Sequence, residues 1–345
     1  MPEPTKSETL DRVLDAALAR AGAEPVRFDV AAGRIALAAA LADRTSGRPR
    51  RRTRWLAAAA AVTVLTGAGL AASTVDLTGG GNAATAAEEL TRAADLASRV
   101  VERPVGPGQF RYVRSRYEGI TTGAGPGEAT HTDLTQEEWV PADRRDEWLF
   151  RNEINSVRWL EGHEGQGQPQ AGTSFEDGQE FRGRCGRYPY FAEGQPDRCT
   201  AGSFGNPTPE FVAALPEDPA ALLDELRKAG GTGDAGALVE AGEALGSGEY
   251  PARVRATIFR ALALLPGLVV TEKRANLDGK EGVALGLKHF DDFTEMIIDP
   301  DNGDYIGRRE TVAVDLPHDQ GGLEKGTVRS SSAVTTKVVS SLGAR

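Results

Sequence analysis

Trp55–Val75 reads WLAAAAAVTVLTGAGLAASTV, twenty-one residues without one charged side chain. At about 1.5 Å rise per residue a helix of that length reaches roughly 30 Å, the depth of a bilayer's hydrocarbon core. A soluble helix so long would keep a charged face for water, and this stretch has none. Eight of the residues are Ala and four are Thr or Ser. Insertion therefore rests on Trp55, Leu56, Val62, Val64, Leu65 and Leu70, together with Val75. The small residues at Ala71–Ser73 suit a signal-peptide cleavage site, but the apolar run starts some fifty residues too late for one. The stretch reads as an uncleaved signal-anchor, a single transmembrane helix.

Working outward, Arg44, Arg48, Arg50, Arg51, Arg52 and Arg54 stand just before the span, and the first basic residue after it is Arg92. Positive charge in short flanks resists translocation, so residues 1–54 are expected in the cytosol and residues 83–345 outside, with 76–82 as a Gly-rich linker. Residues 1–54 hold eleven basic and seven acidic groups, net +4; with a whole-chain charge of −10 this leaves −14 for the remainder. That acidic balance argues against nucleic-acid binding, and the arginine cluster is read as attraction to anionic lipid headgroups. The expected location is the cell membrane, single-pass, with an extracytoplasmic C-terminal domain.

In the cytosolic segment, Ser7–Ala23 carries Leu10, Val13, Leu14, Ala17 and Leu18 on one face with Ser7 as cap, and Pro25 ends it. Asp29–Asp43 is a second short helix. Fifty-four residues of this kind bury little surface alone, so a partner or a mobile tail is expected.

The exported part reads as α+β, an antiparallel sheet with helices gathered on one face. AATAAEELTRAADLASRVV repeats Ala86, Leu90, Ala93, Ala97 and Val100 at helical spacing. Strands are expected at FRYVRSRY from Phe110, around Glu138–Val140, at Glu147–Phe150 and at Val157–Leu160. His163–Gly194 reads as a long loop. Helices follow at PTPEFVAAL, at DPAALLDELRKAG capped by Asp218, at Ala237–Leu245 and at PARVRATIFRALALLPG. Strands then close the chain at Leu268–Glu272, Gly282–Leu287, Phe293–Ile298, Tyr305–Val314 and Thr327–Val339. Cys185 and Cys199 are the only cysteines, and in an oxidising compartment they are expected to form a disulfide. Arg182, Arg184, Arg187 and Arg198 with Phe181, Tyr188, Tyr190 and Phe191 crowd the same loop, a mixture suited to an anionic or lipid-like ligand or to a solvated loop.

Two motifs fail on context. GTGDAG, Gly231 to Gly236, has dinucleotide-fingerprint spacing, but a helix and not a strand precedes it, so it reads as an inter-helix turn. DPDNGD, Asp299 to Asp304, lacks the terminal Glu of a calcium loop and reads as a hairpin turn with Asn302 and Gly303 at positive φ. None of His131, His163, His289 and His318 lies near a nucleophile elbow. The pairs Glu137 with Glu138 and Asp291 with Asp292 read as solvated faces. No catalytic residue, metal set or cofactor site is assigned, and the chain is read as non-enzymatic.

The series LPEDPAALLDEL, RATIFRALALLPGLVV and IIDPDNGDYIGRRETV resembles a family of uncharacterised actinobacterial single-span membrane proteins over roughly Ala84–Ser340. That resemblance implies a short cytosolic segment, one span and an exported α+β domain. Because such proteins are often encoded beside sigma factors, it also implies a sigma factor as a possible cytosolic partner of residues 1–54, as for an anti-sigma-like regulator. On the exported side the expected partner is a lipid, another ligand or an envelope protein. A weaker likeness, at the level of fold, is to half-barrel lipoprotein carriers whose concave sheet takes acyl chains.

Overall fold

A computed structural model describes residues 83–101, 104–122, 128–171, 173, 175–188, 198–317 and 321–345. The expected span, the arginines before it and the two helices expected in the cytosolic segment lie outside these residues. No helix among the described residues is long and apolar enough to cross a membrane.

Helix α1 (Ala83–Ser98) precedes strands β1 (Phe110–Thr122), β2 (Ala129–Pro141), β3 (Glu147–Trp159) and β4 (Gln179–Arg184). Helices α2 (Pro209–Ala214), α3 (Pro219–Gly230), α4 (Gly233–Ser247) and α5 (Ala252–Leu262) come next. Strands β5 (Val269–Leu277), β6 (Lys280–His289), β7 (Asp292–Ile298), β8 (Tyr305–Val312) and β9 (Val328–Val339) complete the chain. The nine strands form one antiparallel sheet in the order β4-β3-β2-β1-β9-β8-β7-β6-β5. Two meanders are thus joined where the last strand pairs with the first, Phe110 opposite Val339. The expected α+β class holds.

Several boundaries differ from the sequence reading: β2 extends from Ala129 to Pro141, β5 runs on to Leu277 and α4 spans Gly233–Ser247. Glu147–Phe150 and Val157–Trp159 belong to one strand, β3, because the residues between them pair with β2 through a register shift that skips Asn155. The expected loop 163–194 contains β4, whose Phe181 pairs with Phe150. Val100 lies past the end of α1 and is exposed.

The helices take one face of β5–β9. Leu90 of α1, Leu222 and Leu226 of α3, and Ile258 and Leu262 of α5 are completely buried, in one core with Leu285, Met296 and Ile298 of the sheet. Each such side chain contributes about 1.5–3 kcal/mol of transfer energy, so this layer dominates the stability. The helix ends follow local chemistry. Asp218 accepts from the Ala221 N–H at 2.9 Å, and Gly231 ends α3 in the left-handed conformation at φ 65°. GTGDAG is the α3–α4 turn as expected. A Cβ on Gly230 would come within 2.4 Å of the Gly236 backbone, so glycine is needed there for close helix approach.

On the opposite face β5 bends. Two register shifts, between Val270 and Glu272 and between Glu272 and Ala275, let its end fold over the sheet. Leu277 thereby joins Ala275, Ala284, Ile297, Ile306 and Ala333 in a second small core. The Asp278–Gly279 turn, with both residues at positive φ, reaches β1 although β6 to β9 stand between them. Arg114 donates to Asp278 at 2.9 Å and Arg116 at 2.8 Å.

DPDNGD forms the β7–β8 turn. Gly303 alone takes positive φ, at 75°, and Asn302 instead accepts from the Asp304 N–H at 2.7 Å. The β6–β7 turn is less expected. His289 pairs with Asp292, leaving Phe290 as the first of two loop residues at φ 52° with its ring 84% exposed. Glycine normally takes that position, because a side chain there costs about 1 kcal/mol or more. Phe290→Gly is expected to leave stability unchanged or raise it by about 0.5–1 kcal/mol, after the entropy glycine adds to the unfolded chain, readable as a small rise in melting temperature.

Candidate functional site

The disulfide loop is the part of the α+β domain whose residue types suggested binding. Cys185 and Cys199 are bonded, with Cα atoms 5.1 Å apart. Tyr190 and Phe191 lie outside the described residues. Arg182, Arg184 and Arg187 are exposed, and Arg198 is partly buried. Arg182 pairs with Glu147 at 3.3 Å, Arg184 Nε donates to the Arg145 carbonyl at 3.1 Å, and Arg198 turns back onto β2.

Arg198 gives Glu138 a two-pronged contact, Nη1 to Oε1 at 2.6 Å and Nη2 to Oε2 at 3.2 Å. Tyr188 donates its hydroxyl to Glu138 Oε1 at 2.8 Å. The guanidinium carbons of Arg198 and Arg144 lie 4.5 Å and 4.6 Å from the Trp148 ring centroid. Trp148 is itself fully buried and donates from Nε1 to the Arg144 carbonyl at 2.8 Å. Arg144 also pairs with Glu249, which follows α4, and with Asn206. Asn206 donates to the carbonyls of Arg198 at 3.0 Å and Ala201 at 3.1 Å. Two cations, two carboxylates and an indole therefore clasp the disulfide loop to the sheet on one side and to the helical layer on the other.

Burial raises the Glu138 carboxyl pKa, but the Arg198 charge and hydrogen bonds outweigh it and hold it below its ordinary value. For Glu249 burial wins over Arg144 and pushes the carboxyl up; burial likewise pulls Arg144 down. A carboxyl whose folded pKa is depressed contributes stability at pH values above its unfolded pKa, and that stability is lost as pH falls through the folded pKa. Glu138→Ala is expected to cost about 2–3 kcal/mol, since it removes charge-assisted bonds and strands a partly buried Arg198. Its melting temperature should also fall less steeply on acidification than that of the parent. A parallel loss in both proteins would show that Glu138 does not carry the acid sensitivity.

Behind β1–β3, on the face away from the helices, lies a second constellation. Tyr112 and Trp139 have ring centroids 5.1 Å apart and pack with Leu149 and Val339. Glu137, with 2% of its side chain exposed, accepts from the Tyr112 hydroxyl and faces Arg151 at 3.5 Å. Segment Ser341–Arg345, following β9, covers this surface. Trp139 Nε1 donates to the Ala344 carbonyl at 2.6 Å. Arg345 Nη2 reaches both Glu137 Oε2 and Glu153 Oε1 at 2.6 Å.

The sequence reading of Glu137 and Glu138 as solvated is thus corrected: alternation sends them to opposite faces, each to an arginine contact, with Glu137 buried and Glu138 mostly so. Asp292 is likewise mostly buried, 3.2 Å from Arg329. The indole of Trp148 and the Glu249 carboxylate were not picked out by sequence reasoning, and neither was the Tyr112–Trp139 pair. The EEWV alternation was the signal available for the β2 residues. His131 lies on β2 with Nε2 3.7 Å from Glu118.

No protein-family model and no curated protein matches the chain. The resemblance to actinobacterial single-span proteins therefore gains no support from either comparison. Among solved structures, the complex of Pseudomonas aeruginosa MucA and MucB matches with 13% identity and a TM-score of 0.27. The match covers 74% of this chain and 58% of that one, so the chain spans a little over half the length of the structure it matches. At that score the likeness decides neither fold nor function.

Proposed function

We propose that this chain is a single-pass, non-enzymatic envelope protein whose exported domain works by surface contact with protein, while residues 1–54 engage a cytosolic partner of the sigma-factor class. One observation carries the choice of protein contact over an engulfed ligand. The layer between helices and sheet is filled by its own side chains, Leu90, Leu226, Ile258, Leu285 and Met296 among them, each at most 1% exposed. A carrier of acyl chains needs an apolar concavity of a few hundred Å³ there. The cationic loop that could have held an anionic headgroup points Arg198 at Glu138. The Cys185–Cys199 bond favours an oxidising location, and the uncharged 55–75 stretch with its arginine flank supplies the tether.

The test is affinity purification of the full chain from its own host in mild detergent. A sigma factor should accompany the intact chain and be absent when residues 1–54 are deleted. Recovery with neither form would remove the sigma-factor assignment. Stoichiometric lipid retained by the exported domain in native mass spectrometry would overturn the choice of protein contact.

A further inference from the structure

An antiparallel sheet with helices on one face normally turns polar residues to water on the other. Here that second face carries Tyr112, Trp139 and Leu149, exposed by only 3%, 0% and 1%. Arg151 lies over the Trp139 ring and Lys337 over that of Tyr112, and one turn of irregular chain completes the cover. Within Ser341–Arg345, Leu342 and Ala344 lie on the aromatic pair, Gly343 has φ 79°, and Ala344 N–H bonds back to the Ser341 carbonyl at 3.2 Å. The segment belongs to no strand or helix. It is held to the sheet by the Trp139 indole and by one arginine, and 52% of that Arg345 side chain is exposed.

The fixed part of this contact has the makeup of a recognition cradle. An aromatic floor takes a small apolar residue, an indole N–H takes a backbone carbonyl, and two carboxylates converge on a guanidinium. Glu137 is the informative member. It lies almost wholly buried, with Arg151 at 3.5 Å against Arg345 at 2.6 Å, so its closest cation comes from a segment outside the sheet. A short exposed turn held by few bonds opens at far lower free energy than the sheet beneath it.

We propose that the Tyr112–Trp139–Glu137 cradle is a peptide-recognition site for a partner segment in which small apolar residues precede an arginine. Ser341–Arg345 occupies it in cis as an autoinhibitory strap. The proposal deepens the protein-contact reading and rests on it only for the identity of the eventual partner; the cradle itself stands or falls separately.

A strap tethered directly to β9 acts at an effective concentration of the order of mM, so a free peptide binding with a dissociation constant of about 100 μM competes poorly. The full chain in detergent should therefore bind the peptide Ser-Leu-Gly-Ala-Arg at least about 10-fold more weakly than a variant lacking residues 341–345. Fluorescence anisotropy of the labelled peptide reads this out. Replacing the peptide's arginine by glutamate, or Glu137→Gln in the truncated chain, should weaken binding about 10-fold or more, the fold-change of losing one charge-assisted contact. Should truncation prevent folding, full-length Arg345→Glu keeps the segment but opens its latch, and it should bind the peptide more tightly than the parent chain does. Overturning results are a folded truncated or latch-opened chain that binds no better than the parent, or binding indifferent to the peptide's charge. Either leaves the sigma-factor purification test untouched, so the two failures are distinguishable.

Discussion

Glu295→Ala should lower the stability of the α+β domain by about 3–5 kcal/mol, the usual cost of removing one partner from a buried ion pair. Glu295 of β7 has no exposed side-chain area and Arg309 of β8 has 3%. Arg309 Nε donates to Glu295 Oε2 at 2.6 Å and its Nη2 to Oε1 at 3.2 Å. Thr311 gives Oε2 a further bond at 2.6 Å, and Thr271 reaches Oε1 from the edge strand. The alanine variant leaves the Arg309 charge in place with Glu272, itself a quarter exposed, as its remaining carboxylate. In a domain of this size the loss corresponds to a melting temperature lower by roughly 6–20 °C. The double variant Glu295→Leu with Arg309→Met should recover most of it, because hydrophobic replacement of a whole buried pair is often neutral or better. A single variant as stable as the parent in urea titration would show that the pair contributes nothing net.

Loss of the Cys185–Cys199 bond is expected to have the second largest effect. The closed loop spans 14 residues of sequence separation, which on chain-entropy grounds corresponds to about 3 kcal/mol. The bond also holds the chain on which Arg198 approaches Glu138 and Trp148. Cys185→Ser with Cys199→Ser should therefore lose the disulfide contribution and, in part, the clasp, so that adding Glu138→Ala to it costs less than Glu138→Ala alone. Such non-additivity is what contacts sharing one loop produce. Strict additivity in denaturant melts would mean that the clasp forms without the bond.

What the sequence made legible was local. Asp218 as cap, GTGDAG as an inter-helix turn, the Ala86–Leu90–Ala93–Ala97 repeat and the turn before Tyr305 all act within a few residues, so their chemistry names them directly. Long-range pairing left no such mark. Glu138 meets Arg198 across sixty residues and Glu137 meets Arg345 across 208, and each letter reads as one more acid in an acidic chain. β4 was missed because its Arg-Gly-Arg end has little strand propensity of its own and is ordered by pairing with β3. The curl that brings Asp278 to Arg114 depends on bulges in β5, which shift register without any distinctive residue.

The proposed function depends on the 55–75 stretch separating two compartments. Protease added to osmotically shocked cells carrying a C-terminal epitope tests this directly. The epitope should be lost while a tag at the N-terminus survives on a membrane-bound fragment. An epitope that stays intact until the inner membrane is permeabilised would contradict it.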